Sequence, residues 1–598
     1  MDNFDVINRI DELEREIAAL PQGGIAIKRV RGKEYYYHRI TQNRKRSEVY
    51  LNFDEVEPLR AKIEKRKALE AELKELKHQL PKPKKIQNDS DAHKFNTYVR
   101  IQEQLKTYAA QVKQYKKREC YKQLADYVFG EHQDKVFILY GLRRTGKTTL
   151  IRQALLDMSP EQFSKAAFIQ VKSKDTLSDI NSDLQYLESQ GYRYVFIDEI
   201  TLMEDFIEGA ALFSDIYACS GMKIVLSGTD SLGFIFTEYE QLYDRCLMLH
   251  TTFIPYREFE RVLGIRGVDE FIRYGGTMSM GGKNYNENSS FATKKKADEY
   301  VDSAIARNIQ HSLKYYQDGG HFRHLYELYE RNELTSAINR IVEDMNHKFA
   351  KQVLTKTYKS STMSLAAKNL LKDKAFSFDL IQNIDKDLVT VSIKTMLDIL
   401  EKEEQTVEIE DVHVSEIKEY LSLLDLIVDI DQLSFPNIGN KREITAISQP
   451  GLRYAQTKAV VDSLVLDEKF NELSAVERQS VIDRVMSSIM GEMLEELILL
   501  ETKIANPKKQ VFQLQFDRGE FDMVIYDPSS LSCEIFEIKH NENVYPDQYV
   551  HLIDEKKCEE TEHRFGKIKG KYVIYRGEPQ EVDGIQYLNA EEYLKSLA

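Results

Sequence analysis

One stretch constrains the fold of this chain more than any other: residues 136–150, which read VFILYGLRRTGKTTL. Four β-favouring apolar residues lead into the pattern G-x-x-x-x-G-K-[ST], with Gly141, Gly146, Lys147 and Thr148 at its defined positions. A buried strand, this loop and a following helix are typical of a phosphate-binding loop. The alternative is a glycine turn between a strand and a helix, followed by a lysine that is there by chance.

The chemistry of such a loop assigns a role to each position. Backbone N–H groups close around the β- and γ-phosphates, and the helix points its positive end at them. Lys147 supplies a point charge, and the Thr148 hydroxyl ligates Mg²⁺. The sequence therefore predicts ATP and Mg²⁺ as cofactors. The residues expected to contact the nucleotide here are Gly141, Thr145, Gly146, Lys147, Thr148 and Thr149.

A second motif, YVFIDEI from Tyr194 to Ile200, reads as an apolar strand that ends in two carboxylates. Asp198 is expected to hold Mg²⁺, and Glu199 to polarise the attacking water. A base beside the metal ligand favours hydrolysis over binding alone.

Strand and helix patterns alternate around these motifs, as a parallel α/β sheet requires. Ala167 to Val171 predicts a strand, Leu177 to Leu187 a helix, and Ile224 to Leu226 a further strand. The last strand runs into SGTDS, where Ser227 and Thr229 would face the γ-phosphate across the crevice. They are candidate sensors of the nucleotide, or else simple turn residues.

A different constellation follows from Gly491 onwards. A helix (Gly491 to Lys503) precedes strands at Val511 to Phe516, Glu520 to Tyr526 and Cys533 to His540, and Tyr572 to Tyr575 reads as the last core strand. Three side chains, Asp522, Glu537 and Lys539, then lie on the same side of adjacent strands.

This order of residues is that of the PD-(D/E)XK nucleases. Asp522 and Glu537 would ligate Mg²⁺, Glu495 on the preceding helix would complete the shell, and Lys539 would stabilise developing charge. The alternative for an E-x-K strand is alternating surface charge. Nuclease folds are also reused without chemistry.

Together, GLRRTGKTTL, YVFIDEI, VLSGTDS, FIPYREF and RYGGTMS resemble the bacterial and archaeal ATP-binding proteins at the border of the AAA+ and STAND classes. The resemblance implies a P-loop ATPase followed by a winged-helix region and a nuclease-like C-terminal domain. It also implies Arg245 as a γ-phosphate or arginine-finger residue, with Arg257 as a competitor. Where the family carries Gly-Arg, this chain has Asp244 before Arg245. Sites completed between subunits would make the protein a homo-oligomer.

Composition excludes several classes of protein. The 598 residues are 42% hydrophobic and 30% charged, and no apolar run approaches the roughly 20 residues of a membrane span. Met1 to Leu20 is an acidic periodic helix, not a signal peptide, so we expect a cytoplasmic protein without membrane contact. The five cysteines are far apart and lack C-x-x-C spacing, which argues against a zinc site and against a disulfide framework.

Charge is unevenly distributed along the chain. Pro21 to Cys120 contains 25 Lys/Arg and 13 Asp/Glu, a net charge of +12, and the rest of the chain is −26. Short β-like runs lie in this segment at Ile25 to Ile27, Glu34 to Tyr37 and Glu48 to Leu51. The pattern predicts a helical arm with a small basic β-meander that contacts nucleic acid. The alternative is a solvated hairpin whose tyrosines pack on the helices.

We therefore expect a multidomain α/β protein. The predicted segments are a helical pair with the basic β-meander (1–80), a linker and helix (81–130), a P-loop parallel-sheet ATPase core (131–262), a helical lid (263–350), a winged-helix-like region (351–486) and a PD-(D/E)XK nuclease-like domain (487–598). The expected winged-helix elements are helices at Phe378 to Glu401 and Val414 to Asp431 and a wing strand at Arg442 to Ile447.

Two functions remain open at this point. One is an ATPase whose nucleotide state governs a metal-dependent nuclease that acts on nucleic acid. The other is a regulatory switch that does not cleave, in which the C-terminal fold is an interaction module.

Overall fold

The computed structural model describes residues 24–30, 33–42, 45–51, 56–60, 63–69, 94–131, 134–278, 290–306, 308–309, 313, 322–359, 409–436, 441–466 and 468–597. The chain divides into two compact units, Met1–Lys94 and Phe95–Ala598.

The N-terminal unit contains a three-stranded antiparallel sheet, which confirms the predicted meander. Its strands are β1 (Gly24–Val30), β2 (Lys33–Gln42) and β3 (Lys45–Leu51). Residues 56–60 and 63–69 are helical. The first predicted helix, Met1 to Leu20, lies outside the described residues.

The first sheet of the C-terminal unit has six strands in the order β4-β6-β7-β8-β5-β9. Five of them run parallel, and β4 pairs antiparallel with β6 at the edge. The strands are β4 (Tyr98–Ile101), β5 (Val136–Tyr140), β6 (Ala166–Gln170), β7 (Tyr194–Asp198), β8 (Lys223–Gly228) and β9 (Cys246–His250). The carboxyl ends of β5, β7 and β8 therefore meet at one edge, where ligands of open parallel sheets bind.

Apolar side chains cover this sheet on both faces, which explains the near-continuous hydrophobic runs of its strands. Along β5, Val136 and Ile138 pack into one buried layer, whereas Phe137 and Leu139 pack into the other. Their helices are α1 (Gln102–Ala110), α2 (Tyr121–Phe129), α3 (Lys147–Asp157), α4 (Pro160–Ser164), α5 (Leu177–Ser189), α6 (Phe206–Gly209) and α7 (Ser231–Glu240). The prediction of one helix within residues 81–130 was wrong, because β4 pairs with the sheet and α1 and α2 are separate helices.

A helical layer follows the six-stranded sheet in the chain. Its helices are α8 (Tyr256–Leu263), α9 (Val268–Tyr274), α10 (Lys294–Tyr300), α11 (Arg323–Glu330), α12 (Leu334–Lys359), α13 (Asp411–Leu423), α14 (Pro450–Asp462), α15 (Glu468–Asn471) and α16 (Ala475–Ala505). Helices α10 to α13 form one buried cluster, and Leu142 of the phosphate loop packs into it. Helices α9, α10 and α11 and most of α12 lie within residues 263–350, the segment predicted to be a helical lid.

The second sheet is mixed and has eight strands in the order β11-β10-β12-β13-β14-β15-β17-β16. Its strands are β10 (Ile427–Ser434), β11 (Arg442–Ile447), β12 (Gln510–Gln515), β13 (Glu520–Asp527), β14 (Ser532–Ile538), β15 (Lys567–Tyr575), β16 (Gln580–Val582) and β17 (Ile585–Asn589). Helix α16 and a final helix, α18 (Ala590–Ser596), pack on one face, whereas α17 (Glu555–Phe565) packs on the other. The prediction that Tyr572 to Tyr575 is the last core strand was wrong, since β16 and β17 follow it.

The winged-helix prediction needs correction. The wing strand at Arg442 to Ile447 exists, but it pairs with β10, and β10 pairs in parallel with β12 of the second sheet. The predicted helix at Val414 to Asp431 ends at Leu423, and residues 427–434 instead form β10, which pairs with β11 and β12. Phe378 to Glu401 lies outside the described residues. Within the part of the chain that the structure describes, no helix has the length and apolar character of a membrane span.

Candidate functional site

The predicted phosphate loop joins β5 to α3 at the carboxyl edge of the first sheet. Gly141 and Gly146 adopt φ angles of 137° and 93°, which favour glycine. A Cβ on Gly141 would also lie 2.7 Å from Thr251 Oγ1, so a side chain is excluded there by space as well. Thr145 is buried under the loop, and its hydroxyl donates to the carbonyl oxygen of Leu142 at 2.8 Å.

Lys147 lies inside this loop. Its Nζ donates to the carbonyl oxygens of Gly141 and Leu142, both at 2.8 Å. Burial lowers the pKa of Lys147 to about 8, although the carboxylates of Glu199 and Asp198 act in the opposite direction. The ammonium thus lies among loop carbonyls, where a bound phosphate would supply stronger acceptors.

The two metal-binding groups predicted from the sequence are in contact. Thr148 donates from Oγ1 to Asp198 Oδ2 at 2.9 Å, which joins the start of α3 to the end of β7. Glu199, the next residue, has a left-handed backbone with φ 59°. Burial and the neighbouring Asp198 raise the pKa of Glu199. A carboxyl with a raised pKa next to the predicted Mg²⁺ ligands is suited to accept a proton from water.

The two sensor candidates differ in their contacts. Thr229 donates from Oγ1 to Glu199 Oε2 at 3.4 Å, so it lies next to the proposed base. Ser227 is buried, and its hydroxyl has no hydrogen-bond partner among the described residues. Asn308 of the helical layer donates to the Thr229 carbonyl and accepts from the Ser231 N–H at 3.1 Å. Nothing in the sequence pointed to Asn308, because a single asparagine in a helical segment carries no motif.

A cavity of about 330 Å³ adjoins the loop. Thr149 and Glu199 line it on the sheet side. Its other walls come from segments on either side of the ATPase core: Tyr115 from before it, and Leu263 and Met278 from after it. Movement of these flanking segments would therefore change the shape of the cavity.

Arg118, which was not among the predicted site residues, contacts the phosphate loop. The guanidinium is buried and pairs with Glu258 of α8, with Nε and Oε1 2.9 Å apart. It also donates to the carbonyl oxygens of Thr145 at 2.7 Å and Thr251 at 2.9 Å. No sequence signal separates Arg118 from the neighbouring basic residues of its segment.

The structure does not bring Arg245 to the nucleotide site of its own chain. Arg245 precedes β9, which runs parallel to β5, so it lies at the amino edge of the sheet. A five-residue strand separates the two edges by roughly 16 Å. Arg245 pairs instead with Asp215 at 2.6 Å, and the competing Arg257 pairs with Glu119 at 2.9 Å.

A second group of titratable residues lies on β13 and β14 of the eight-stranded sheet. Lys539 donates from Nζ to Asp522 Oδ2 at 2.8 Å and to Glu537 Oε2 at 2.6 Å. The Ile538 N–H also donates to Asp522 Oδ2 at 2.7 Å. We call Asp522, Glu537 and Lys539 the carboxylate centre. The three residues that the sequence placed on one side of adjacent strands are thus in direct contact.

Electrostatics in the carboxylate centre follow from burial and mutual contact. Burial, followed by the charge of Asp522, raises the pKa of Glu537 well above its ordinary value. Burial acts to lower the pKa of Lys539, but the two carboxylates raise it well above its ordinary value. Glu537 Oε1 is buried and has no hydrogen-bond partner among the described residues. Such an oxygen fits a cation ligand, and Mg²⁺ is commonly bound by only one or two carboxylates.

Glu495 does not join these carboxylates. It lies on α16 and accepts a hydrogen bond from Gln513 Nε2 at 2.8 Å. Among the described residues, no three Asp, Glu, His or Cys side chains form a group that could hold a metal ion. The structure thus offers two carboxylates where the sequence predicted three.

The family model of an AAA domain matches residues 133–260, about a fifth of the chain. This segment is an AAA domain of the P-loop ATPase class. No curated protein matches the chain in sequence.

Three solved structures are similar to the chain at low TM-scores. A DNA polymerase III gamma subunit-related protein from Thermotoga maritima is 11% identical, with 48% of this chain and 100% of that chain covered and a TM-score of 0.21. The Aeropyrum pernix Orc1 protein, in complex with DNA, is 14% identical, with 62% and 94% covered and a TM-score of 0.18. Hsp104 in its closed state is 11% identical, with 80% and 67% covered and a TM-score of 0.22. Likenesses this weak carry no argument about this chain.

Proposed function

We propose that the AAA domain binds and hydrolyses ATP, and that its nucleotide state controls a Mg²⁺-dependent nuclease-like domain that acts on nucleic acid. The observation that carries the first part is the contact between Thr148 and Asp198 beside Glu199. The second part rests on the convergence of Asp522, Glu537 and Lys539.

The residues around the phosphate loop divide the work of hydrolysis. Lys147 and the loop N–H groups bind the phosphates, and Thr148 and Asp198 would hold Mg²⁺, which neutralises charge that develops on the phosphate oxygens. Glu199 accepts the proton of the attacking water, and the Thr229 hydroxyl orients its carboxylate. The same division of roles was expected from the sequence.

In the carboxylate centre, Asp522 and Glu537 would hold Mg²⁺, which supplies Lewis acidity toward a phosphodiester. Lys539 provides positive charge where negative charge develops during cleavage. In the free protein its ammonium holds the two carboxylates together, which offsets their mutual repulsion. Glu495 accepts a hydrogen bond from Gln513 and would not be a ligand of this ion.

The basic N-terminal unit supports nucleic acid as the partner. In the register of its sheet, Arg29 is opposite Glu34 and Arg39 is opposite Glu48. Lys28 is opposite Tyr35 in the register of β1 and β2. Cations and rings together suit a single strand, whose bases stack and whose phosphates carry charge.

Helices α8 and α9 provide the connection between the two sites. Leu263 at the end of α8 lines the nucleotide cavity. From α9, Asp269 accepts a hydrogen bond from His540, the residue that follows Lys539. The N-terminus of α9 is also tied to α18, where Glu591 accepts from the Val268 N–H at 3.1 Å. A shift of this helix pair would therefore displace residues at both the nucleotide cavity and the carboxylate centre.

One observation favours the alternative, a regulatory switch that does not cleave. The two hydrogen bonds of Lys539 link Asp522 to Glu537, and with them β13 to β14, so the centre can serve as a structural ion triad. In that case the eight-stranded domain would be an interaction module controlled by ATP.

Two assays on the full chain test the proposal. ATP hydrolysis is measured for the unmodified chain, Lys147→Ala and Glu199→Gln; we expect loss of ATP binding in the first variant, and retained binding with roughly 10²- to 10⁴-fold slower hydrolysis in the second. Cleavage of plasmid and single-stranded substrates is measured with Mg²⁺ or Mn²⁺, with and without ATP, using Asp522→Asn as the control. An unchanged rate of ATP hydrolysis in Glu199→Gln would show that Glu199 is not the catalytic base. If the unmodified chain does not cleave, or if Asp522→Asn cleaves as fast as the unmodified chain, the regulatory switch is the better interpretation.

A further inference from the structure

A buried cation lies near the carboxylate centre, in the first turn of α17. Lys557 is only 8% exposed. Its Nζ donates to His551 Nδ1 at 2.7 Å. In the described part of the chain this is the only hydrogen bond of the ammonium, and no carboxylate forms an ion pair with it. Two of its three N–H donors are thus not used by described residues.

The contact with Lys557 sets the tautomer of His551. An ammonium has no lone pair, so Nδ1 must accept the hydrogen bond and the ring proton of the neutral imidazole is on Nε2. The ring packs against Gly519, where a Cβ would lie 2.4 Å from Nε2. Gly519 also has a φ of 80°, so this turn between β12 and β13 requires glycine for two reasons. The packed ring presents a second N–H donor in a fixed orientation.

The charges of the carboxylate centre affect the pKa values of both Lys557 and His551. Burial lowers the pKa of Lys557, against the opposing effects of Asp554 and Glu537. Burial also lowers the pKa of His551, followed by the charges of Lys557 and Lys539, whereas Asp522 and Asp554 act to raise it. The pair therefore lies within electrostatic range of the residues proposed to act on a phosphodiester.

Internal packing does not account for this arrangement. A buried ammonium is costly unless an anion compensates it; Asp554 and Glu537 act on Lys557 without forming an ion pair with it, and a neutral imidazole does not compensate a charge. The ring of Phe516, 5.4 Å from Lys557 Nζ, adds only a weak cation–π attraction. The missing partner is thus an anion that accepts N–H donors, and near a centre of this chemistry a phosphate fits best.

We propose that Lys557 and His551 form a phosphate subsite that binds a phosphodiester group of a nucleic-acid strand next to the carboxylate centre. The inference takes its ligand from the proposed function. Lys557 supplies the charge, and the Nε2–H of His551 supplies a directional hydrogen bond. The subsite thus orients the strand without itself taking part in bond cleavage.

Binding of a short, fluorescently labelled single-stranded oligonucleotide to the full chain tests this subsite. Fluorescence anisotropy is measured in EDTA over a series of salt concentrations, so that neither metal nor cleavage contributes. The matched pair is Lys557→Met and Lys556→Met, since Lys556 is the adjacent lysine and its side chain is 85% exposed. The basic N-terminal unit is the same in all variants, so its contribution cancels.

We expect Lys557→Met to bind roughly tenfold more weakly, as loss of a charge-assisted contact implies. Its plot of log affinity against log salt should be shallower by about 0.7, the value for one phosphate contact on a single strand. Lys556→Met should match the unmodified chain, and Lys557→Arg should retain most of the affinity. Thermal melting verifies folding, and Lys557→Gln replaces Lys557→Met if the latter unfolds.

Equal affinity and slope in Lys557→Met and Lys556→Met would overturn the subsite, and so would a lack of binding by the unmodified chain. Cleavage is measured separately. A chain that binds through Lys557 but does not cleave would retain the subsite and lose the nuclease part of the proposed function. If Lys557→Met changes neither binding nor cleavage, the subsite is wrong and the nuclease part of the proposed function is retained.

Discussion

His540 donates from Nε2 to the Asp269 carboxylate at 2.8 Å, and this bond connects the end of β14 to helix α9. Arg576 reaches the same carboxylate at 3.2 Å. Burial acts to raise the pKa of Asp269, but His540 and Arg576 hold it below its ordinary value. The carboxylate is thus ionised near neutral pH, between the helix that borders the nucleotide cavity and the strand that bears Glu537.

If this bond couples the two sites, Asp269→Asn should weaken the effect of ATP at the carboxylate centre. Coupling energies are typically worth 5- to 150-fold, so we expect the ratio of oligonucleotide affinities with and without ATP to move toward one by roughly fivefold or more. ATP hydrolysis itself should be preserved. Glu270→Gln, a change at the adjacent residue of α9, is the control. An unchanged ratio in Asp269→Asn would place the coupling elsewhere.

The carboxylate centre should behave as one unit toward a metal. Asp522→Ala and Glu537→Ala should each abolish most Mn²⁺ binding, and the double variant should lose little more than either single one. Lys539→Ala should retain binding, because the lysine acts on developing charge. Calorimetry on the full chain, with Mn²⁺ titrated into each variant, measures these effects. Additive losses would show that the two carboxylates do not share an ion.

The buried pair of Arg118 and Glu258 should support both folding and nucleotide affinity. Arg118→Met leaves Glu258 buried without its cation, and removal of one partner from such a pair costs about 3–5 kcal/mol. The carbonyl oxygen of Thr145 also loses its donor, so the KM for ATP should rise. Lys117→Met removes only an ion pair with Asp157 between two partly exposed side chains, so it should change neither property appreciably. Chemical denaturation and steady-state kinetics decide the point, and equal behaviour of the two variants would refute it.

Glu501 predicts a pH dependence of stability. The Tyr256 N–H donates to its Oε1 at 2.6 Å, and burial raises the pKa of Glu501 to about 8. A carboxyl whose pKa is raised by folding stabilises the protein fully below its unfolded pKa, and this contribution is lost as the pH rises toward about 8. Glu501→Gln cannot titrate, so its melting temperature should fall less between about pH 5 and about pH 8. Parallel melting curves for the two proteins would contradict the assignment.

Local patterns predicted the parts of the protein that depend on adjacent residues. The phosphate loop, the strand ending in Asp198 and the contacts of Lys539 follow from motifs whose spacing reflects chemistry. These local patterns could not predict which segments pair when they are far apart in the sequence. The segment IVDID, residues 427–431, fits a helix by composition but is a strand because β11 pairs with it. Likewise, nothing near Arg118 shows that Glu258, 140 positions later, is its partner.

The position of β10 and β11 at the end of the eight-stranded sheet has a practical consequence for fragments of this protein. A fragment from Ser487 to Ala598, which the sequence suggests as a domain, would lack both strands. The peptide groups of β12 that pair with β10 would then face solvent as an open edge, ready to pair with another molecule and aggregate. It would also truncate α16 within its 31 residues. A fragment intended to fold alone should therefore begin before α13, so that β10 and β11 are present and β10 covers the edge of β12.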